Sequence, residues 1–452
     1  MTVIDAARLD FVFGEESSGT TPEERAATSD RTYVRSQLQL AFHSPGARGV
    51  EINAKQALRT FGIDLLERVA ADGAVGIVAD AAEPAWTLRL RRQYLRIARS
   101  SLANAARVSV ESVQRAETPG TIVPIRELDR IAQALTLDER VIGFRPEALG
   151  DKKLGGRLRD LNPSDDRDDG FIITLADAAW VIARQAELSH MLGADEAMVR
   201  QVAAQRGDYD RPTYRKGYDL AEEARRKLGL SPVEPVSDLR ALIERRLGVP
   251  VLEADFDPSI AGATIISGRV RGIALGPEHR PLVKRMTLAH ELGHLLYDPD
   301  AVLDRVRIDR ADEMHGRQHD PVELRASAFA VAFLAPFAAV DALLEDIATP
   351  EKVVIALVER YGISTSAAVG HVKSRTRQTV KLDYHPPRQV YGAWRETAGI
   401  AIPEAPISRR GRFAELVLEG VRRDVITAAT AAAWLRIDPD AVPIFLRNGS
   451  VS

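Results

Sequence analysis

The residues with chemistry to offer stand in "TLAHELGHLLYDPD", residues 287 to 300, where His290 and His294 are four apart and Glu291 directly follows the first. On a helix, positions i and i+4 lie nearly above one another, with side chains about 6 Å apart. Two imidazoles so spaced can share one zinc ion at about 2.0–2.1 Å each. Glu291 lies about 100° around the helix from His290. That is close enough to take a proton from a water the metal activates, without ligating the metal. The competing reading is an ordinary amphipathic helix that happens to hold two imidazoles. Leu288, Ala289, Leu292, Leu295 and Leu296 argue against it, because they predict a mostly buried helix, and burying two histidines without partners is costly. Gly293, a poor helix former, predicts close approach by something opposite.

A catalytic zinc site needs a third protein ligand and an open position. In "PVELRASAFAVAFLAP", Glu323 opens an otherwise apolar helix, where an unpaired carboxylate would be out of place. Ala326 and Ala330, three and seven residues on, would let this helix pack tightly against the first. Competing ligands exist. His315 and His319 in "DEMHGRQHD" are also four apart, but Gly316 and the polar surroundings read as a solvated loop. Asp298 and Asp304 read as turn residues. The centre expected is one zinc on His290, His294 and Glu323, with Glu291 as general base.

The elements that position these residues follow from periodicity. "VPVLEADF", "IAGATIISG" and "RVRGIALG" read as three short strands with a tight turn near Ser267-Gly268. Helical patterns surround them, among them "YDLAEEARRKLGL", "VSDLRALIERRLGV" and "EKVVIALVERYGISTSAAVGHVKSR". Upstream, "GEESSGTTPEERAATSD" reads as a solvated, poorly ordered segment. "NAKQALRTFGIDLLERVAADG" is helical and closed by Gly73. "DKKLGGRLRDLNPSDDRDDG", Asp151 to Gly170, mixes charge, glycine and proline and reads as a linker.

At 452 residues the chain exceeds one compact core, and several domains are expected. With 61 basic against 64 acidic residues the formal charge is −3, so any nucleic-acid footprint must be local. From Trp86 to Arg145, 11 arginines stand against 6 acidic residues. There is no cysteine, which excludes disulfides, thiolate nucleophiles and cysteine-ligated zinc and fits a reducing compartment. "ASAFAVAFLAPFAAV" is the one stretch with a membrane-like composition. It is shorter than the roughly 20 residues a span requires, and Pro336 interrupts it. It reads as a buried helix, and the start of the chain lacks the basic and apolar regions of a signal peptide.

Two resemblances attach to these motifs. "RMTLAHELGHLLY" followed by "ELRASAFAVAFLAP" resembles the ImmA/IrrE family of metallopeptidases, and the likeness extends from "SDLRALIERRLGVPV" to about residue 375. It implies a thermolysin-like zinc site that cleaves helix-turn-helix repressors. Its third ligand is a glutamate in a pattern that Glu323, Ala326, Phe329, Ala330 and Pro336 match. Tyr297-Asp298 depart from the pattern, since many members carry leucine and a further histidine there. "LRIARSSLANAARVSVESVQRAETPG" resembles the XRE-type, lambda-repressor-like helix-turn-helix. Leu102 and Ala103 match its first helix, and Val108 and Ser109 its turn, with Ser109 able to cap the next helix. Val113 and Ala116 would face the core. That leaves Val110, Glu111, Ser112, Gln114 and Arg115 for bases and phosphates. Arg107 occupies a position usually given to glycine, which would force it to positive φ. The competing reading of this stretch is a small helical bundle with a solvated arginine face.

The fold class expected is therefore α+β and mainly helical. Residues 1–85 form a partly disordered N-terminal extension, 86–150 the helix-turn-helix domain, and 151–170 the linker. Residues 171–345 form a zincin-like metallopeptidase domain with a small sheet, and 346–452 a helical C-terminal region. The function expected is a cytoplasmic, zinc-dependent peptidase and transcription regulator. It would bind operator DNA and hydrolyse a bond in a repressor-type protein, or in its own linker. A homodimer is compatible with this, and no membrane is involved. The rival reading is a DNA-binding transcription factor or antitoxin-like module whose zinc domain is a non-proteolytic sensor.

Overall fold

A computed structural model of the chain describes residues 5–43, 49–137, 169–193, 214–267, 270–298, 307–310, 320–347, 349–396, 399–400 and 402–448. The chain divides into two compact units, Met1–Leu192 with Ile400–Ser452, and Gly193–Gly399. In sequence, the second is an insertion within the first. The architecture is α+β and mainly helical, in agreement with the expected class.

The first unit opens with helices α1 (Ala6–Phe13) and α2 (Pro22–Thr28), then strands β1 (Thr32–Arg35), β2 (Gln39–Phe42) and β3 (Val50–Asn53). Helices α3 (Ala54–Phe61) and α4 (Ile63–Asp72) follow, and β4 (Ala74–Gly76) completes an antiparallel sheet of order β3-β1-β2-β4. Leu9, Phe13, Tyr33, Leu40, Leu66 and Val69 fill its core. This corrects the expectation of a poorly ordered segment at residues 14–30. Thr21 and Glu24 form a reciprocal capping box, and Pro22 occupies the first turn of α2, so two orphan N–H groups are satisfied locally.

Next come α5 (Glu83–Leu95), α6 (Arg99–Ala106), α7 (Val110–Ala116) and α8 (Ile125–Ala134). Arg107 ends α6 with φ 53°, the positive φ that its place in the turn predicts. A buried carboxylate, Glu117, ties three of these helices. It accepts from Arg92 Nε on α5 and from Arg99 Nε on α6 at 2.7 Å. Burial pushes the Glu117 pKa up, but the Arg92 and Arg99 hydrogen bonds and charges prevail and hold it below the usual carboxylate value.

Only the last two residues of the expected linker, Asp169 and Gly170, are described, and they begin α9 (Asp169–Met191). Asp169 Oδ2 accepts from Ala98 N at 2.9 Å and Ser101 Oγ at 2.8 Å, at the start of α6. The C-terminal helices Arg412–Arg422 and Ala428–Leu435 close this unit on α9. Trp180 lies edge-on to Phe413 and Trp434, at 6.3 and 6.0 Å between ring centroids. Asp177 accepts from Ser408, Arg409 and Arg436, and these charges outweigh burial to lower its pKa to about 2. Residues 169–192 and 400–448 thus pack with the N-terminal half, whereas the sequence reading groups them with the peptidase domain and the C-terminal region.

The inserted unit holds α10 (Tyr214–Lys227), a short helix Leu239–Ala241 continued by a π-helical turn Leu242–Arg246, and a second sheet. Its strands are β5 (Val251–Glu253), β6 (Ile260–Ser267), β7 (Val270–Leu275) and β8 (Arg307–Arg310), in the order β5-β7-β6-β8. Strands β5 and β7 pair in parallel, the others antiparallel. The three strands read from the sequence are present. Gly268, in the turn expected between the last two, lies outside the described residues. Helix α11 (Pro281–Tyr297) packs on β6 and β7, and α12 (Pro321–Leu334) packs on α10 and α11. Gly293 permits this last contact, because a β-carbon there would stand 2.8 Å from Phe329 Cδ1. The membrane-like stretch is split at Pro336 between the buried body of α12 and the start of a helix Phe337–Asp346, the two bent by 55°. Among the described residues no single helix is long and apolar enough to cross a membrane.

Candidate metal centre

Helix α11 begins with Pro281, where a missing N–H costs nothing, and every residue from Thr287 to Tyr297 is buried. One flank of it carries His290 and His294, with ring centroids 4.7 Å apart. Helix α12 is capped by Asp320, whose side chain accepts from Val322 N, and delivers Glu323 from its first turn. The Nε2 atoms of the two histidines are 2.9 Å apart. Glu323 Oε2 is 3.0 Å from His290 Nε2 and 3.5 Å from His294 Nε2. Among the described residues these three form one buried group able to hold a metal ion. His315, His319 and Asp304 lie outside the described residues.

The donor set fits a divalent cation. Ligands about 2.05 Å from a tetrahedral zinc stand about 3.3 Å from one another, and the three separations bracket that value. The outer ring nitrogens have partners of their own. His294 Nδ1 donates to Asp298 Oδ2 at 2.8 Å, and His290 Nδ1 lies 3.3 Å from Ser327 Oγ. His294 Nε2 is thereby left with a lone pair, and with His290 Nε2 it faces the carboxylate oxygen of Glu323. A cation held between these three atoms would be coordinated by all of them. Arg325 donates to Asp298 beside this cluster, and the carboxylate of Glu323 faces both imidazoles, an oxygen-and-nitrogen donor set suited to zinc.

Asp298 is therefore no exposed turn residue. It is 2 % exposed, and its Oδ1 accepts from Arg325, a guanidinium that burial pushes below its usual pKa. The one sequence signal for it was spacing, since Asp298 follows His294 by four residues, as His294 follows His290. Thr264 on β6 was not legible at all. Its Oγ1 donates to Glu291 Oε2 at 2.7 Å and so fixes the carboxylate. Glu291, the expected base, is fully buried.

The residues expected to meet DNA lie elsewhere, on the first unit. Ser109 Oγ accepts from Ser112 N at 3.0 Å, as a cap should. Glu111, Gln114 and Arg115 are exposed. Ser112 is not, at 4 % exposure. Its hydroxyl faces Ser109 and Arg115, which takes it out of reach of a base or phosphate. Arg115 also leans toward Glu127, 3.7 Å away.

No curated protein matches the chain. Residues 244–371 do match a family model, and this match takes in both histidines, Glu291, Glu323 and the strand that carries Thr264. The inserted unit of this chain is thus similar, over residues 244–371, to the IrrE N-terminal-like domain of the M78 peptidases, a zincin-like metallopeptidase family.

Proposed function

We propose that the chain is a zinc-dependent peptidase of the cytoplasm, joined to a helix-turn-helix that binds operator DNA, and that it hydrolyses a peptide bond in a repressor-type protein. The observation that carries this reading is the convergence of His290, His294 and Glu323 beside the buried carboxylate of Glu291, which Thr264 orients. A zinc ion held there supplies Lewis acidity and lowers the pKa of water to about 7. Thr264 holds Glu291 by Oε2, so Glu291 takes up the proton of the attacking water and returns it to the leaving amine. His290, Glu291 and His294 are at most 1 % exposed, which keeps bulk water from them.

The arrangement of the first unit bears on the substrate. A cut between residues 151 and 168 would leave α6 and α8 docked on α9 through Asp169 and through Thr136 Oγ1, which donates to Ala176 O at 2.7 Å. Such a cut would not by itself detach the DNA-binding helices, and this favours a separate protein as substrate over the chain's own linker. The deep burial of His290, Glu291 and His294 favours the rival sensor reading to the extent that a peptide must reach them. Incubation of the full chain with co-encoded repressors, with and without chelator, decides between the two. Wild type should cut, and Glu291→Gln should keep its metal and cut nothing. A wild-type protein that holds zinc and cuts no repressor leaves the sensor.

DNA binding rests on α6 and α7, with Glu111, Gln114 and Arg115 outward. Affinity should fall steeply with salt as counterions compete. Changing Gln114 should alter sequence preference, whereas neutralising exposed arginines should weaken all sequences alike. A full chain that shifts no promoter DNA at low salt removes this half of the proposal.

A further inference from the structure

One turn of α12 reaches every metal-binding side chain of α11. Glu323 meets both Nε2 atoms. Ser327, four residues on and so on the same helix face, stands 3.3 Å from His290 Nδ1. Arg325, between them, reaches Asp298, which in turn receives the Nδ1–H of His294. The Asp298 side chain is fully buried and that of Arg325 is 8 % exposed, so their pairing is shielded from water. A buried carboxylate without a countercharge would be too costly to keep ionised. Arg325 supplies that charge from the helix that also provides the third ligand.

We propose that Asp298, Arg325 and Ser327 are the positioning residues of the metal centre. Asp298 holds His294 as its Nδ1–H tautomer, Ser327 holds the ring of His290 in orientation, and Arg325 holds Asp298. The consequence is a site in which both ring planes and the His294 lone pair are set before any metal arrives. Binding then requires no turning of either ring, and the carboxylate behind His294 raises its basicity. This inference rests on the metal-centre reading above. It goes beyond it by assigning affinity to three residues that never touch the ion.

The test measures zinc affinity of the full chain by competition with a chromophoric chelator. Alongside it, the ring-nitrogen resonances of the chain labelled with ¹⁵N-histidine are recorded without metal. Wild type should show His294 protonated at Nδ1. Asp298→Asn should weaken zinc binding about 10- to 100-fold and shift His294 toward the other tautomer. Ser327→Ala, which removes no charge, should affect His290 alone and cost several-fold. Should Asp298→Asn fold poorly because Arg325 is left unpaired, the double change Asp298→Asn with Arg325→Met removes both charges and should still lose affinity. If either folded variant binds zinc within twofold of wild type, with His294 unchanged, the positioning role is wrong while the metal centre stands. A wild-type chain that takes up no zinc overturns both.

Discussion

The backbone of Gly262 on β6 lies against Glu291 so closely that a β-carbon there would stand 2.8 Å from Glu291 Oε1. The carboxylate is thus held on two sides, by the Thr264 hydroxyl and by a glycine with no side chain to offer. Gly262→Ala should push Glu291 out of place and leave His290, His294 and Glu323 where they are. Misplacement of a catalytic group by about 1 Å can cost about 100-fold in rate. Proteolysis should therefore fall by that order while zinc content stays at wild-type level. Loss of zinc together with activity would mean that Gly262 serves the fold rather than the base.

Glu323→Gln should weaken zinc binding far more than substitution of His315 or His319, because its Oε2 is the atom that meets both Nε2 atoms. Elemental analysis of the three purified variants checks this. A His319 variant that loses its metal while Glu323→Gln keeps it would assign the third ligand differently.

Gly293→Ala should destabilise the inserted unit by about 1–3 kcal/mol, since the new methyl would overlap the Phe329 ring at 2.8 Å. Combining it with Phe329→Leu should recover part of that loss, because the ring is what it strikes. Thermal unfolding of the single and double variants measures the coupling. Additive losses would show that the two positions do not touch.

Glu117→Ala should destabilise the α5–α8 bundle by about 1–3 kcal/mol, because it takes the carboxylate from the mostly buried Arg92, whereas Arg99 is exposed enough to stay hydrated. DNA binding should then become temperature-sensitive before metal binding does. Equal loss of both functions would contradict the assignment of Glu117 to the bundle alone.

His371 gives the protein an acid-sensitive point. Its ring is stacked on Phe337 at 4.7 Å and hydrogen-bonds Ala335 O at 2.7 Å. Burial lowers its pKa to about 4, despite that hydrogen bond. The unfolded chain, with a histidine pKa of about 6.5, binds this proton more readily than the folded one. Stability is therefore full above pH 6.5 and falls as the pH drops toward 4, by about 2 kcal/mol at pH 5. Comparison of wild type with His371→Phe between pH 7 and pH 5 isolates the effect, since both share the metal ligands. Parallel slopes for the two proteins would refute it.

The chemistry of the centre was legible in the sequence because it rests on local spacing. A helix period of 3.6 residues puts His290 and His294 on one face, and apolar neighbours on every side declare that face buried. Glu323 was legible by contrast, as a charge at the head of an apolar helix. The three strands and the cap at Ser109 were readable for the same local reasons. So was the positive φ of Arg107.

What the tertiary structure decided lies between elements far apart in the chain. Thr264 meets Glu291 across 27 residues, and Arg325 meets Asp298 across the same separation. Neither pair leaves a periodic trace, so neither could be read from spacing. The N-terminal sheet joins four strands of three or four residues each, too short to signal by alternation and stable only once paired. The return of residues 400–448 to α9 likewise rests on Asp177 gathering Arg409 and Arg436 from more than 230 residues away. Local sequence fixes which side chains can hold a metal or cap a helix, because those preferences act over one or two turns. Which carboxylate finds which guanidinium is settled only when the elements pack, because the cost of burying a charge is felt only there.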